Sequence, residues 1–245
     1  MKIRNPKSRN HIKVPKHFNV LEVGGGHNPH QRSNTIVDKF IESNYHRSGD
    51  IKINKNQKFM EADGENLPFE NNKFDYVICS QVLEHVENPE IFLKEQMRVA
   101  KKGYLEIPSV IGEYLHPKES HKWLILEIDS KLVIMDKKIV GFKHSHDLGE
   151  VFLHYMPKHS IGYKIMQYTH GSIQSIRYEW EDSIDFIVNP TEEKYLKYFR
   201  GNWDFEDIEK FLPKRSLPSE LWTSFCALLY ILRSLIKSRL LTRNT

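Results

Sequence analysis

The chain is poor in the residues that staple small or metal-built folds. Only two of its 245 residues are cysteine, Cys79 and Cys226, too few for a disulfide framework or a four-thiolate zinc centre. That scarcity suits a reducing compartment, and a cytoplasmic protein is expected. No apolar stretch follows the basic residues at the start, so no signal peptide is expected. The longest apolar run, Leu221–Leu232, stops at Arg233, short of a bilayer span. Internal repeats and low-complexity tracts are also missing. With 39% apolar and 28% charged residues, the length suits one globular domain with an appended subdomain.

Charge is unevenly spread. The net charge is +4, yet residues 1–17 hold six Lys/Arg and no acid, and residues 214–245 hold six against Glu220 alone. The body between is therefore net acidic. Basic ends of this kind could touch nucleic acid, anionic lipid or a polyanionic substrate, or simply be solvated.

Short apolar runs alternate with helical patterns, which predicts a parallel sheet with crossover helices. Strands are expected at Asn19–Val23, Thr35–Val37, Lys58–Ala62, Phe74–Cys79 and Gly103–Ile107. A helix at Pro89–Ala100 starts from Asn88-Pro89, an N-cap followed by proline at the first helical position. Trp123–Ile128 and Leu132–Met135 flank Asp129-Ser130-Lys131 as a hairpin. Ser175–Trp180 and Ser183–Val188 read as a further strand pair. A C-terminal helix, Pro218–Leu241, carries a broad apolar face with Arg233, Lys237 and Arg239 on or beside its polar side.

The chemistry concentrates after the first strand. Val20-Leu-Glu22-Val-Gly24-Gly25-Gly26 is an apolar run ending in an acid and three glycines, a buried strand turning into a nucleotide-type loop. Asp38 closes the next apolar run, where a carboxylate can reach two ribose hydroxyls. The dinucleotide fingerprint is lacking: Pro29 stands where its third glycine belongs, and Asp38 follows Gly26 after only eleven residues. Hydride transfer is thereby disfavoured, and the first crossover helix must be short or replaced by a loop.

Four motifs occur in order: Glu22-Val-Gly-Gly-Gly, Ala62-Asp63-Gly-Glu65-Asn-Leu67-Pro-Phe, Lys73-Phe-Asp-Tyr-Val-Ile and Val82-Leu-Glu84-His85-Val86. Together they resemble class I S-adenosylmethionine-dependent methyltransferases, over about residues 18–109. The resemblance implies a Rossmann-like, seven-stranded, mostly parallel sheet with helices on both faces and an antiparallel last strand, here with a C-terminal helical extension. It divides the chain into a basic segment 1–17, a methyltransferase domain 18–190 (cofactor half 18–109, acceptor half 110–190) and the extension 191–245. It also implies S-adenosyl-L-methionine as cofactor. Gly24, Gly25 and Gly26 would approach its amino-acid tail and ribose, and Glu22 would hold the loop or meet the ammonium. Asp38 would take the ribose hydroxyls and Asp63 the adenine amine, with Gly64, Glu65 and Leu67 close to the ring. Ser80, Gln81 and His85 would lie on the sulfonium side, although Glu84-His85 could equally start the next helix.

An oxygen or nitrogen acceptor can need a base, most naturally histidine. His116, His121, His146 and His154 are the candidates. His144, His146, Asp147 and His154 also suggest a metal site, a reading outweighed by solvated or core-bonded histidines, so no metal is expected. No Asn-Pro-Pro-Tyr-type sequence follows the fourth strand, which leans the acceptor toward an oxygen of a small molecule, glycan or lipid-linked precursor. Rival readings are an RNA or protein methyltransferase guided by the basic ends, and a non-catalytic module that keeps the fold. The C-terminal helix suits a membrane surface, a homo-oligomer interface or packing on the domain, with burial against protein favoured for so wide a face.

Overall fold

The computed structural model describes residues 1–44, 49–143 and 146–242, with side chains through residue 236. Seven strands form the main sheet in the order β1-β9-β6-β5-β2-β3-β4: β1 Lys2–Arg4, β2 Val20–Val23, β3 Thr35–Asp38, β4 Lys58–Glu61, β5 Tyr76–Ser80, β6 Lys102–Pro108 and β9 Ser175–Glu181. Strands β4, β3, β2, β5 and β6 are mutually parallel, and β9 runs antiparallel to β6. The central strands are buried on both faces, which explains why Val20–Val23 and Tyr76–Ser80 read as apolar runs without alternation.

One face is covered by α1, Pro89–Val99, whose Asn88 side chain accepts from the Ile91 N–H as the cap signal predicts. Phe92 and Leu93 of α1 pack with Leu21, Val23, Val77 and Leu105. The first crossover carries no helix: residues 24–34 are a loop. On the opposite face the N-terminal segment does the covering, with Ile12, Val14 and Phe18 on Val20, Tyr76, Ile78 and Tyr104. Two helices, α4 (Ile161–Thr169) and α7 (Leu217–Thr242), flank it through Tyr168 and Tyr230, both in ring contact with His11.

Residues 1–17, expected as a segment apart from the domain, thus form part of it. Strand β1 pairs antiparallel with β9 at the sheet edge. Lys2 pairs with Glu127, Arg4 with Glu179 at 2.6 Å, and Arg9 with Glu22 at 3.1 Å. Much of the excess positive charge is answered inside the fold.

A second, three-stranded sheet holds β7 (Trp123–Ile128), β8 (Lys131–Asp136) and β10 (Phe186–Val188). The hairpin turn is only Asp129-Ser130, with φ of 50° and 65°, the left-handed pair that a two-residue type I′ turn demands. Trp123, Ile125, Leu132 and Ile134 face the main core. Leu124, Leu126, Val133 and Met135 face Leu196, Tyr198 and Phe199 of α5, Glu193–Arg200, beside α6, Phe205–Phe211. The strand pair expected from 175–180 and 183–188 is not formed. β9 joins the main sheet, whereas β10 runs parallel to β8. Short helices α2 (Val110–Leu115) and α3 (Met156–His159), the latter preceded by a π-helical stretch Glu150–Tyr155, and 3-10 turns at Arg9–His11 and Gly171–Ile173 complete the described elements.

Candidate functional site

A cavity of about 530 Å³ opens beyond the C-terminal ends of β2, β3 and β5, where doubly wound sheets place their ligands. Its floor is the glycine loop. Gly24 and Gly26 have φ of 73° and 50°, and a Cβ on Gly24 would lie 2.2 Å from a Val82 methyl. A side chain is excluded there, so the loop offers bare backbone to whatever occupies the cavity. Asp38, at the end of β3, and Asp63, in the turn after β4, line the same wall with Gly64 and Glu65.

Asp63 is more constrained than its place in the motif suggests. Burial would raise its pKa, but a 2.6 Å contact with Lys39 Nζ and the Glu65 N–H hold it below the ordinary carboxylate value. Glu65 in turn accepts the Glu87 and Asn88 N–H groups at 2.6 and 3.0 Å, tying the turn to the entry of α1. Ser80 and Gln81 close the far side, and Gln81 sits at a left-handed φ of 58°.

Two residues of the expected cofactor set lie elsewhere. Glu22 is buried outside the cavity lining, accepting from the His30 N–H at 2.7 Å, the Ser33 hydroxyl at 2.6 Å and Arg9. Its role is to hold the loop that replaces the crossover helix. Leu67 is a core residue whose N–H donates to Glu95.

The histidines sort sharply. His146 and His154 are exposed and do not line the cavity; His144 lies outside the described residues. His144 being outside the described residues, the four-residue metal set that the sequence raised and set aside is not tested as a whole; among the described residues His146, Asp147 and His154 form no ligand cluster. His116 is buried and does not line the cavity. Of the four candidates only His121 reaches the lining, where its ring stands edge-on to His85 with centroids 4.6 Å apart.

His121 donates its Nδ1–H to Glu113 Oε2 at 2.6 Å, and Lys137 holds the other Glu113 oxygen. Burial pushes the imidazole below its ordinary pKa although Glu113 pulls the other way, so the ring is neutral near pH 7. Burial alone would raise Glu113; the His121 and Lys137 hydrogen bonds more than reverse this and hold it at about 2. His85 donates its Nδ1–H to the Ser120 carbonyl at 3.1 Å. Beside them Glu84 is buried, both its carboxylate oxygens lack a partner among the described residues, and burial pushes its pKa up to about 8.

Glu84 and His85 therefore do not start a helix: they form the loop before α1 and turn toward the cavity. The Val82-Leu-Glu-His-Val motif was the signal for Glu84. Nothing in the sequence marked Lys39, Lys118 or Glu106, which also line the cavity.

A family model described as a methyltransferase domain matches residues 35–105. Over that stretch the chain is similar to methyltransferase domains. Over 96 residues it is 31% identical to an uncharacterized protein of Methanocaldococcus jannaschii, covering 36% of this chain and 47% of that one. Over 78 residues it is 38% identical to the norajmaline N-methyltransferase of Rauvolfia serpentina, covering 32% and 25%. Over 68 residues it is 39% identical to the ubiquinone/menaquinone biosynthesis C-methyltransferase of Pseudomonas fluorescens, covering 28% and 27%. The chain spans about half the length of the first of these relatives and about a quarter of the other two. Among solved structures, a SAM-dependent methyltransferase of Thermotoga maritima aligns at TM-score 0.32 with 24% identity, over 40% of this chain and 46% of that one. A chain of the complex between the Haloferax volcanii Trm112 activator and a methyltransferase aligns at 0.41 with 12% identity, over 71% and 86%. The cofactor of such a domain is S-adenosylmethionine. The bare backbone at Gly24–Gly26 and the two acids on the adjacent wall fit its tail, ribose and adenine.

Proposed function

We propose that this chain transfers a methyl group from S-adenosylmethionine to an oxygen of a small molecule, a glycan or a lipid-linked glycan precursor. One observation supports it above the rest: a single cavity has the glycine loop, Asp38 and Asp63 on one side and Glu84, His85 and His121 on the other. The cofactor brings an activated sulfonium, so the protein's work is to hold an acceptor in line with the methyl carbon. His121, neutral with its Nδ1–H on Glu113, keeps a lone pair on Nε2 to take the acceptor's proton.

The RNA-directed alternative loses support from the basic start of the chain. Lys2, Arg4 and Arg9 are engaged in internal ion pairs, and Lys7 lies over the Tyr168 ring at 4.1 Å. The lipid-linked reading gains from α7. This helix docks by Ala227, Tyr230 and Ile231 but leaves Leu221, Trp222, Phe225 and Ile236 at least half exposed, against the expectation of burial on protein. By length and composition Leu217–Ile236 is also long and apolar enough to cross a membrane, which the shorter run Leu221–Leu232 did not suggest. An acceptor held at a bilayer surface accounts for such a face.

The test is transfer of labelled methyl from S-adenosylmethionine to fractionated small-molecule, glycan and lipid extracts, with RNA and protein fractions alongside. Label in a base-stable ether of the first three supports the reading, and label confined to RNA or protein overturns it. For the membrane part, the full chain should pellet with anionic vesicles and Trp222→Glu/Phe225→Glu should not; a wild-type chain that stays in the supernatant contradicts it.

A further inference from the structure

We infer that Glu84, His85 and His121 form a binding site for a divalent transition-metal cation in the wall of the cavity. Each offers one ligand atom, and the three atoms lie within 4.8 Å of one another. Two ligands on one zinc-sized ion stand up to roughly 4 Å apart, so the set needs only a small closure to share one ion. The ligands come from two separate loops, one before α1 and one before β7, so the fold rather than the local sequence assembles them.

Glu84 supplies the independent reason. Its side chain is 1% exposed and neither carboxylate oxygen has a hydrogen-bond partner among the described residues. An orphaned buried carboxylate is costly, and a cation beside it removes the cost. Both histidines are set up as ligands rather than as general surface groups. His121 gives its Nδ1–H to Glu113, itself held by Lys137, and His85 gives its Nδ1–H to the Ser120 carbonyl. In each ring the neutral tautomer then carries its lone pair on Nε2. A carboxylate or carbonyl behind a metal-binding imidazole is the usual means of fixing that tautomer and orientation.

Two imidazoles and one carboxylate suit zinc or iron(II), with positions left open, and do not suit calcium or magnesium, which take oxygen ligands. A role in catalysis rests on the methyltransferase reading above. With the His121 Nε2 lone pair on the ion, the base role proposed above passes to the metal: an open position toward the cavity would accept an acceptor hydroxyl and acidify it, and its proton leaves to water. The oxygen then bonds to the methyl carbon as the carbon–sulfur bonding pair returns to sulfur, leaving a neutral thioether.

Metal binding itself is measured without donor or acceptor. Full-length protein stripped with chelator is titrated with Co²⁺ under visible absorption and with Zn²⁺ by calorimetry. One equivalent with ligand-field bands is expected. Saturable binding should be lost in Glu84→Gln and in His85→Gln, each checked by circular dichroism for folding. Glu113→Gln, which weakens the bond orienting His121 and also takes the carboxylate from Lys137, should, where circular dichroism shows it folded, weaken binding about ten- to a hundredfold. The inference is overturned if wild type takes up no stoichiometric metal, or if the isosteric Glu84→Gln binds it as wild type does. A parallel titration of the same sample with S-adenosylhomocysteine separates the two claims, since cofactor binding without metal uptake sinks this one alone.

Discussion

The two halves of the domain build their share of the cavity differently. In residues 18–109 the glycine loop, the two acids and Ser80-Gln81 stand at or just past strand ends, within a few residues of the signal that positions each. Asp38 closes β3, Asp63 follows β4, and Ser80-Gln81 ends β5. Beyond residue 110 the cavity gains Lys118, His121 and Lys122 from one loop, held by Glu113 of α2 and Lys137 after β8. The first half is set by local backbone geometry, the second by long-range side-chain bonds. Damage should follow that split: backbone changes ought to break the first half, and loss of a single buried charge the second.

The largest effect is expected at Gly24. Gly24→Ala combines a left-handed φ with a Cβ driven into Val82, and should cost about 2–4 kcal/mol of stability and abolish S-adenosylhomocysteine binding. Adding Val82→Ala should recover the steric part only, which denaturant unfolding of the two proteins measures.

Removing Glu113 tests the other half. Glu113→Ala leaves Lys137 buried without its carboxylate and frees His121, and should cost about 3 kcal/mol. If the comparison holds, cofactor affinity measured at a temperature where the variant is folded falls far less than in Gly24→Ala. Glu22→Ala falls between the two, because it lies in the first half yet works through buried bonds to Arg9, Ser33 and the His30 N–H. It should lower both stability and cofactor affinity.

A smaller effect concerns pH. Burial, then Arg9 and Arg32, push His30 down to about 4 from its ordinary value near 6.5. Because the folded pKa is depressed, the stability it contributes is present above pH 6.5 and is lost as pH falls toward 4. His30→Gln should flatten thermal stability over that window by about 1–2 kcal/mol, allowing for partial exposure. The smallest effect belongs to α7. Leu221→Ser should change stability by less than about 0.5 kcal/mol, because the side chain is 65% exposed. Ala227→Leu, at the buried docking seam, should cost about 1–3 kcal/mol by unfolding.

The same split explains what the sequence reveals. The five parallel strands, the capped helix at Pro89 and the lining by Gly24–Gly26, Asp38 and Asp63 follow from local signals: apolar runs, glycine and an Asn-Pro cap. Glu22 and Leu67 were legible as motif members, but whether such a residue faces a ligand or the core depends on neighbours distant in sequence. Four histidines looked equivalent because nothing local distinguishes them; Glu113, eight residues before His121, selects the one that reaches the cavity. The placement of β1 beside β9, and the departure of β10 to a second sheet, depend on pairings between segments far apart in the chain. The apolar face of α7 was visible, but its exposure was not, since burial depends on what the rest of the chain presents to it.

The central claim is that this cavity holds S-adenosylmethionine between the glycine loop and the two acids. Calorimetric titration of S-adenosylhomocysteine into wild type, Asp38→Ala and Asp63→Ala tests it most directly. The account predicts one site in wild type, with each variant still folded and binding about ten- to a hundredfold more weakly, as expected for loss of a hydrogen bond to a charged group. A wild-type chain that binds neither S-adenosylhomocysteine nor S-adenosylmethionine, or two variants that bind as wild type does, would contradict it.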